Sequence, residues 1–363
     1  MGVIRRTLGS KAVASLTSPH TVDHYLEHLH PLLTVDEVRA RVVEVVHETG
    51  DASTVVLRPN GAWRGFVPGQ HVQFGVEVDG RRRVRVFSVS SSQANRDGTF
   101  SVSVKAHPDG YVSQFLHHEL APRTIVHLSQ AEGEFVLPDE LPDHVLLLSG
   151  GSGITPVMSM IRTLRDRKHQ GEITFLHYAR SRTDEMFTEE LDQLADEFPS
   201  ARVVRIYTRD PEAGAALAGR FHVDHLKHLG IDASDTLTYV CGPAGLIASV
   251  RDTYEDLGAV DQMRAEYFKV PKVDLDAADA TGTLTFDASG TTADNSGATI
   301  LEQAEAAGLK PAYGCRMGVC NTCAIKKLHG AARHVVSGEV QADTDQTLKI
   351  CVHVPVGDVS VAL

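Results

Sequence analysis

Residues 313–323 read Y-G-C-R-M-G-V-C-N-T-C, and the cysteines in that stretch, Cys315, Cys320 and Cys323, stand at C-x4-C-x2-C spacing. A fourth, Cys351, follows in the alternating apolar run L-K-I-C-V-H-V-P, and Cys241 stands alone far upstream. Three close thiolates and a distant fourth are the ligand spacing of a [2Fe-2S] cluster. The chemistry asks for a tight loop that wraps thiolates and backbone N–H groups around the metal. Gly314 and Gly318 permit that backbone, and N–H groups aimed at the sulfurs tune the potential. A strand through Cys351 can deliver the last thiolate from the other side. Structural zinc prefers close cysteine pairs at both ends, and Cys351 has no such neighbour.

The wider composition sets bounds. A chain of 363 residues suggests two or three domains. Five cysteines are too few for a disulfide framework, and their clustering points to one metal site in a reducing cytoplasm. A net charge of -12 argues against a nucleic-acid partner, which needs a basic face to bind phosphate. Apolar runs such as Val145–Leu148 are strand-sized, far short of the roughly 18 residues that cross a bilayer. The N-terminus lacks a signal-peptide pattern, and Arg6 stands where a myristoylation signal wants Ser or Thr.

Upstream of the cysteines, residues 145–156 read V-L-L-L-S-G-G-S-G-I-T-P: an apolar strand, a glycine-rich turn, then a helix over 156–165 with proline in its first turn. Such a turn can hold a pyrophosphate on backbone N–H groups. A second strand-turn, T-L-T-Y-V-C-G-P-A-G at 236–245, suits the same crevice at the edge of a parallel sheet. Two buried strands, 173–179 and 202–208, lie between them, separated by a helix over 184–197. Residues 66–135 read as an all-β region with short alternating runs. Within it, R-V-F-S (85–88) offers Arg85 to a phosphate, Phe87 to a flat ring and Ser88 to a ring nitrogen. G-Y-V-S (110–113) opens a helical segment, 111–120, whose N-terminus suits a second phosphate contact.

These motifs carry a resemblance. Residues 276–363 resemble the plant-type ferredoxin domain, a β-grasp (α+β) fold, in C-R-M-G-V-C-N-T-C, a first strand at 282–287 and a helix at 298–307 ended by Gly308. R-x-F-S, G-x-x-S, G-G-S-G-I-T-P and C-G-P stand in the order of the ferredoxin-NADP reductase-like flavoproteins, with P-G-Q-H (68–71) and G-E-F (133–135) as further barrel landmarks. More narrowly, the chain resembles actinobacterial NADPH oxidoreductases that serve membrane acyl-CoA desaturases, a likeness that includes H-P-L-L-T-V-D-E-V-R-A-R-V at 30–42.

The implied organisation is multidomain: an N-terminal helical extension (1–37), an antiparallel β-barrel that binds FAD (38–138), an α/β parallel-sheet domain for NAD(P) (139–268), a linker (269–280) and the [2Fe-2S] ferredoxin domain (281–363). The resemblance implies cluster ligation by Cys315, Cys320, Cys323 and Cys351. It places Arg85 and Ser113 on the flavin pyrophosphate, with Gly110 allowing close approach. Ser88 would lie near flavin N5, and Phe87, where the family has Tyr, would stack on the ring. Gly150, Gly151, Gly153 and Thr155 would line the dinucleotide, and Cys241, with Gly242 and Pro243, would meet the nicotinamide. Ser88, Cys241 and Thr155 are then the candidate catalytic residues, and Phe268 is a candidate to cover the flavin. Arg180, Ser181, Arg182 and Arg209 can clamp a 2'-phosphate, which favours NADPH over NADH.

Hydride transfer to the flavin and single-electron delivery through the cluster need positioning and exclusion of water, with no acid–base pair. The expected acceptor is a membrane di-iron acyl-CoA desaturase. The alternatives are an alkane or aromatic-ring hydroxylase fed by the same chemistry, and a redox-sensing binding module with no catalytic role. The expected form is a monomer, cytoplasmic, in weak contact with the inner face of the membrane through residues 3–16, and the acidic linker can let the ferredoxin domain move. In the extension, Val22, Tyr25, Leu26, Leu29 and Leu33 recur at helical spacing. His20, His24 and His28 share another face, read as solvated with metal binding as the alternative.

Overall fold

The computed structural model describes residues 21–78, 81–108, 110–210, 217–268, 280–314, 316–318 and 321–363. Residues 3–16, His20, most of the linker (269–279), Cys315 and Cys320 lie outside them. The chain divides into two compact units, Met1–Glu266 and Tyr267–Leu363.

In the first unit, strands β1 (Val38–Thr49), β2 (Ala52–Pro59), β3 (His71–Val78), β4 (Arg81–Ser88), β5 (Phe100–Lys105) and β6 (Ile125–Leu128) form an antiparallel sheet. Its order is β4-β3-β6-β1-β2-β5. A bridge between Val89 and Val102, backed by Ser90 N–H donating to the Ser101 carbonyl at 2.8 Å, brings the two edge strands together. That closure removes the open edges a six-stranded sheet would otherwise expose. Leu57, Val72, Phe74, Phe100 and Val102 fill the interior, joined by Val112 and Leu116 of a helix, Tyr111–His118 (α2).

The extension packs on this barrel. Its helix α1 is Val22–Glu27, and the chain turns there instead of running helical to Leu33. The turn lets buried Asp23 accept the backbone N–H groups of Val35, Asp36 (3.0 Å) and Glu37 (2.9 Å). Arg39 then donates to Glu27 (2.6 Å), Glu37 (2.8 Å) and the Pro31 carbonyl (3.0 Å). Leu29 and Leu33 are exposed, so polar ties rather than an apolar stripe hold this segment.

The nucleotide region is a sheet of β7 (His144–Gly150), β8 (Glu172–Ala179), β9 (Ala201–Tyr207), β10 (Leu237–Gly242) and β11 (Met263–Tyr267), in the order β11-β10-β7-β8-β9. The pairs β10–β7, β7–β8 and β8–β9 are parallel. Leu146, Leu147 and Leu148 are fully buried, as befits a strand covered on both faces. Helices α3 (Ile154–Asp166), α4 (Thr188–Glu197), α5 (Val223–Leu229) and α6 (Ala244–Asp256) complete the layer. The chain leaves β7 for β8 on one side and returns as β10 on the other. That reversal puts a crevice at the carboxyl ends of β7 and β10.

The second unit has strands β12 (Thr283–Phe286), β13 (Thr291–Asp294), β14 (Ala324–His334), β15 (Val340–Gln341), β16 (Thr347–Lys349) and β17 (His353–Val361). Parallel β12–β17 sits between antiparallel neighbours. Helix α7 (Ile300–Ala306) buries Ile300, Leu301 and Ala304 against Leu284, Phe286 and Val359. Thr299 and Glu302 cap it reciprocally, each side chain bonding the other's backbone N–H.

Candidate functional site

At the crevice, β7 runs through the turn Gly151–Gly153 into α3. A Cβ at Gly153 would strike the Cys241 carbonyl, and one at Gly150 would lie 2.7 Å from Leu246 and 3.0 Å from Pro243. A Cβ on Gly242 would lie 3.1 Å from the Gly150 nitrogen. The two glycine turns therefore meet backbone to backbone, a packing that any side chain would open. Gly151 also needs its left-handed φ of 54°. The Thr155 hydroxyl donates to the Ser152 carbonyl at 3.1 Å, bracing the turn from within. Neither α3 nor α6, whose cap is Pro243, has a side-chain cap. Two uncapped helix starts over a bare backbone fit a pyrophosphate.

The arginines expected around a 2'-phosphate divide. Arg209 N–H donates to the Arg180 carbonyl at 2.9 Å, so these two exposed residues stand side by side beyond β8 and β9. Arg182 instead pairs with Asp192 at 2.8 Å, and Asp192 also takes Arg205. The Ser181 hydroxyl bonds Thr183 at 2.9 Å. Helix α4 begins later than expected because Arg182–Asp184 form a separate 3-10 turn and Phe187 takes a left-handed conformation.

On the barrel, Arg85 is exposed at the β4 edge and Phe87 packs edge-on against Phe74, with ring centroids 6.0 Å apart. Gly110 precedes α2 without a side-chain cap, and a Cβ there would collide with the Ser113 hydroxyl. That hydroxyl donates to the Gly110 carbonyl at 2.9 Å and accepts the His107 N–H at 3.2 Å. The cradle is the right kind for a flavin phosphate; the guanidinium that stands against α2 is that of Arg83, 5.5 Å over the Tyr111 ring, while Arg85 donates to the Val84 carbonyl at 2.8 Å.

Ser88, 4% exposed, lies opposite His71 in the β3–β4 register. Its hydroxyl donates to Glu266 Oε2 at 3.5 Å, while His71 Nδ1 stands 3.6 Å from Glu266 Oε1, beyond hydrogen-bond range. Burial pushes the Glu266 carboxyl up, against the lowering influence of His71 and Ser88. Burial, then the charge of Glu266, pushes the Cys241 thiol well above its ordinary range. Ser88, Cys241 and Glu266 thus share one buried locality in which the last two favour their neutral forms. Neither Glu266 nor His71 had an expected role. Ser88 and Glu266 are 178 positions apart, and only the lone acidic residue in R-A-E-Y-F hinted at the second. Phe268 falls in the second unit, just beyond β11.

In that second unit, Cys323 and Cys351 bring their sulfurs to 3.2 Å, too long for a disulfide of about 2 Å. Both are buried, and Ile350 N–H donates to the Cys323 carbonyl at 3.2 Å. Cys351 comes from the turn between β16 and β17, not from within a strand as its alternating run suggested. Its neighbour Val352 would lie 2.9 Å from a Cβ on Gly318, whose φ is 76°. Lys349 Nζ donates to the Gly318 carbonyl. Two buried thiols on a tied, left-handed loop fit a [2Fe-2S] cluster, with Cys315 and Cys320 in sequence position to complete it.

Three family models match in order: Oxidoreductase FAD-binding domain over 40–137, Oxidoreductase NAD-binding domain over 147–252 and 2Fe-2S iron-sulfur cluster binding domain over 284–356. The chain is 35% identical to the NADPH oxidoreductase of Mycobacterium tuberculosis, over 96% of this chain and 90% of that one. It is 30% identical to the glycine betaine monooxygenase reductase subunit of Chromohalobacter salexigens, over 88% and 94%. Phthalate dioxygenase reductase shares the fold, with a TM-score of 0.60 at 22% identity over 90% of this chain and 98% of that one. The chain therefore belongs to the ferredoxin-NADP reductase-like flavoproteins with a fused C-terminal [2Fe-2S] domain, and is an NAD(P)H-dependent oxidoreductase.

Proposed function

We propose that the protein oxidises NADPH and delivers single electrons to a membrane di-iron acyl-CoA desaturase. The observation that carries this reading is the union in one chain of a dinucleotide crevice and a thiolate module. Together they convert a two-electron input into one-electron output. When bound, the nicotinamide supplies hydride, the flavin accepts it and the cluster passes electrons singly.

The chain's own work is to hold and exclude. Gly150, Gly151, Gly153 and Gly242 keep the crevice floor free of side chains, while the starts of α3 and α6 hold the pyrophosphate. Arg85 and the Gly110–Ser113 turn hold the flavin phosphates, and Phe87 stacks on its ring. Ser88, Cys241 and Thr155 fix the reacting rings, with Cys241 acting as a neutral, fully buried wall. Arg180 and Arg209, with Ser181, clamp the 2'-phosphate and favour NADPH over NADH. Arg182 reaches it only by exchanging Asp192 for the ligand.

The desaturase assignment is supported by the 30–42 segment, which the polar ties of Asp23, Arg39 and Asn60 fix to the barrel. In this reading the protein is a cytoplasmic monomer meeting its partner at the inner face of the membrane. Among the described residues, no helix is long and apolar enough to cross a membrane. A second reading, the reductase component of a hydroxylase or other oxygenase, is favoured by the relative named as a monooxygenase reductase subunit.

The test is reconstitution with NADPH, oxygen and either stearoyl-CoA desaturase membranes or a purified oxygenase. Turnover of stearoyl-CoA to the unsaturated product is expected. Turnover only with the oxygenase would replace the first reading by the second, and NADPH oxidation coupled to neither would leave the reductase without the proposed acceptor.

A further inference from the structure

The segment before β1 has little apolar packing of its own. Leu29 is 78% exposed and Leu33 45%, so the six-residue helix α1 is held to the barrel by hydrogen bonds and ion pairs. Short segments without a core are commonly stapled by a metal or a disulfide. Helix α1 carries the residues for a metal.

Residues 24–28 read H-Y-L-E-H, a spacing that puts two histidines one turn apart and a glutamate on the same helix face. Among the described residues, His24, Glu27 and His28 are the one group of three such side chains whose ligand atoms all lie within 4.8 Å of one another. The two imidazole centroids are 5.0 Å apart.

The geometry goes beyond proximity. His24 Nδ1 stands 3.4 Å from Glu27 Oε1, too long for a good hydrogen bond. That separation is the edge of a metal tetrahedron: two ligands about 2.0–2.1 Å from zinc lie about 3.4 Å from each other. His28 Nδ1 lies 2.7 Å from the His24 backbone carbonyl. A carbonyl only accepts, so Nδ1 carries the hydrogen and Nε2 keeps its lone pair. Metal-binding imidazoles are oriented in this way, through the nitrogen that does not ligate. A small rotation of the exposed His28 ring closes the remaining distance.

Glu27 is likewise held from behind. Its Oε2 accepts from Arg39 at 2.6 Å, while Oε1 stays on the His24 side. Arg39 does not neutralise the place, because its single positive charge is divided between Glu27 and Glu37. The two carboxylates keep an excess of negative charge for a cation.

We propose that His24, Glu27 and His28 bind one zinc ion, which staples the end of α1 and, through Glu27 and Arg39, ties the extension to the barrel. Two histidines and a carboxylate leave the fourth position to water. Zinc carries no electrons, so the site is structural and takes no part in the oxidation of nucleotide.

The test uses the holoprotein with its flavin and full complement of iron, so that the cluster cysteines are occupied. Zinc chloride is titrated in by isothermal calorimetry, zinc X-ray absorption reports the ligand atoms, and hydrogen–deuterium exchange follows residues 21–37. The wild type is expected to take up one zinc per chain through nitrogen and oxygen ligands. Its α1 amides should then exchange at least about tenfold more slowly. The double variant His24→Asn, His28→Asn should bind zinc at least about tenfold more weakly and lose that protection, with Glu27→Gln in between. Unchanged flavin and iron contents show that the variants fold.

Sulfur in the zinc shell, undiminished affinity in the double variant, or uptake only in large excess over the protein would overturn the proposal. So would unchanged exchange with zinc bound. The wild-type absorption and exchange measurements decide the matter even if a variant fails to fold.

Discussion

Arg180 and Arg209 stand exposed beside one another, while Arg182, two residues along, is held by a carboxylate. A charged hydrogen bond to phosphate contributes about 1.5–3 kcal/mol, so Arg209→Ala should raise KM for NADPH roughly ten- to hundredfold. NADH kinetics should hardly change, and steady-state assays with both nucleotides check this. Arg182→Ala is expected to have the smaller effect. Cys351→Ser should abolish the cluster, seen as lost iron and lost visible absorption. NADPH-driven ferricyanide reduction at the flavin should survive, while cytochrome c reduction falls at least roughly tenfold.

At this scale the cysteine spacing was legible because ligand geometry imposes a short, local pattern. The diversion of Arg182 was not, because Asp192 reaches it only after α4 folds back past the 182–184 turn. His71 and Glu266 were silent for the same reason: their meaning depends on three distant strands converging.

Among the elements, the glycine turn before α3 was readable because a pyrophosphate cradle and a strand-to-helix turn ask for the same residues. Gly153→Ala puts a methyl group into the Cys241 carbonyl. It should cost about 1–3 kcal/mol of stability and weaken nucleotide binding, as thermal denaturation and NADP+ titration would show. The capping box on α7 is a separate, purely structural feature. Thr299→Ala should lower the stability of the ferredoxin unit by about 1 kcal/mol, with the flavin-level activity unchanged.

Alternation in L-K-I-C-V-H-V-P promised a strand through Cys351, yet the chain turns there. Among the described residues β16 pairs with β14 alone and is left before β17 begins, and the turn lets Cys351 face Cys323. In α1 the helical spacing continued past the helix end because Asp23 gathers the N–H groups of 35–37, a tertiary demand no local pattern encodes.

For the molecule as a whole, stability and electron flow are the two readouts. His177 is fully buried in the nucleotide sheet, with Nδ1 bonded to the Ser149 hydroxyl at 2.7 Å. Burial, with the charge of Arg205 acting in the same sense, lowers it from 6.5 to about 3. Between those values the unfolded chain binds the extra proton, so this contribution is intact above pH 6.5 and is lost progressively as pH falls below it. Denaturation midpoints should therefore drop more steeply between pH 7 and 5 in the wild type than in His177→Asn.

The order of three domains was legible throughout, since each carries its own motif in sequence. The acceptor was not, because partner choice lies in surface shape and charge rather than in any motif. The most direct test of the electron path is an anaerobic titration with NADPH, followed by visible absorption and electron paramagnetic resonance. NADPH is expected to bleach the flavin, after which the cluster takes up electrons and shows the reduced [2Fe-2S] signal. The bleaching should need far less NADPH than NADH. A colourless protein that holds zinc, or a flavin that is reduced while the cluster never is, would contradict it.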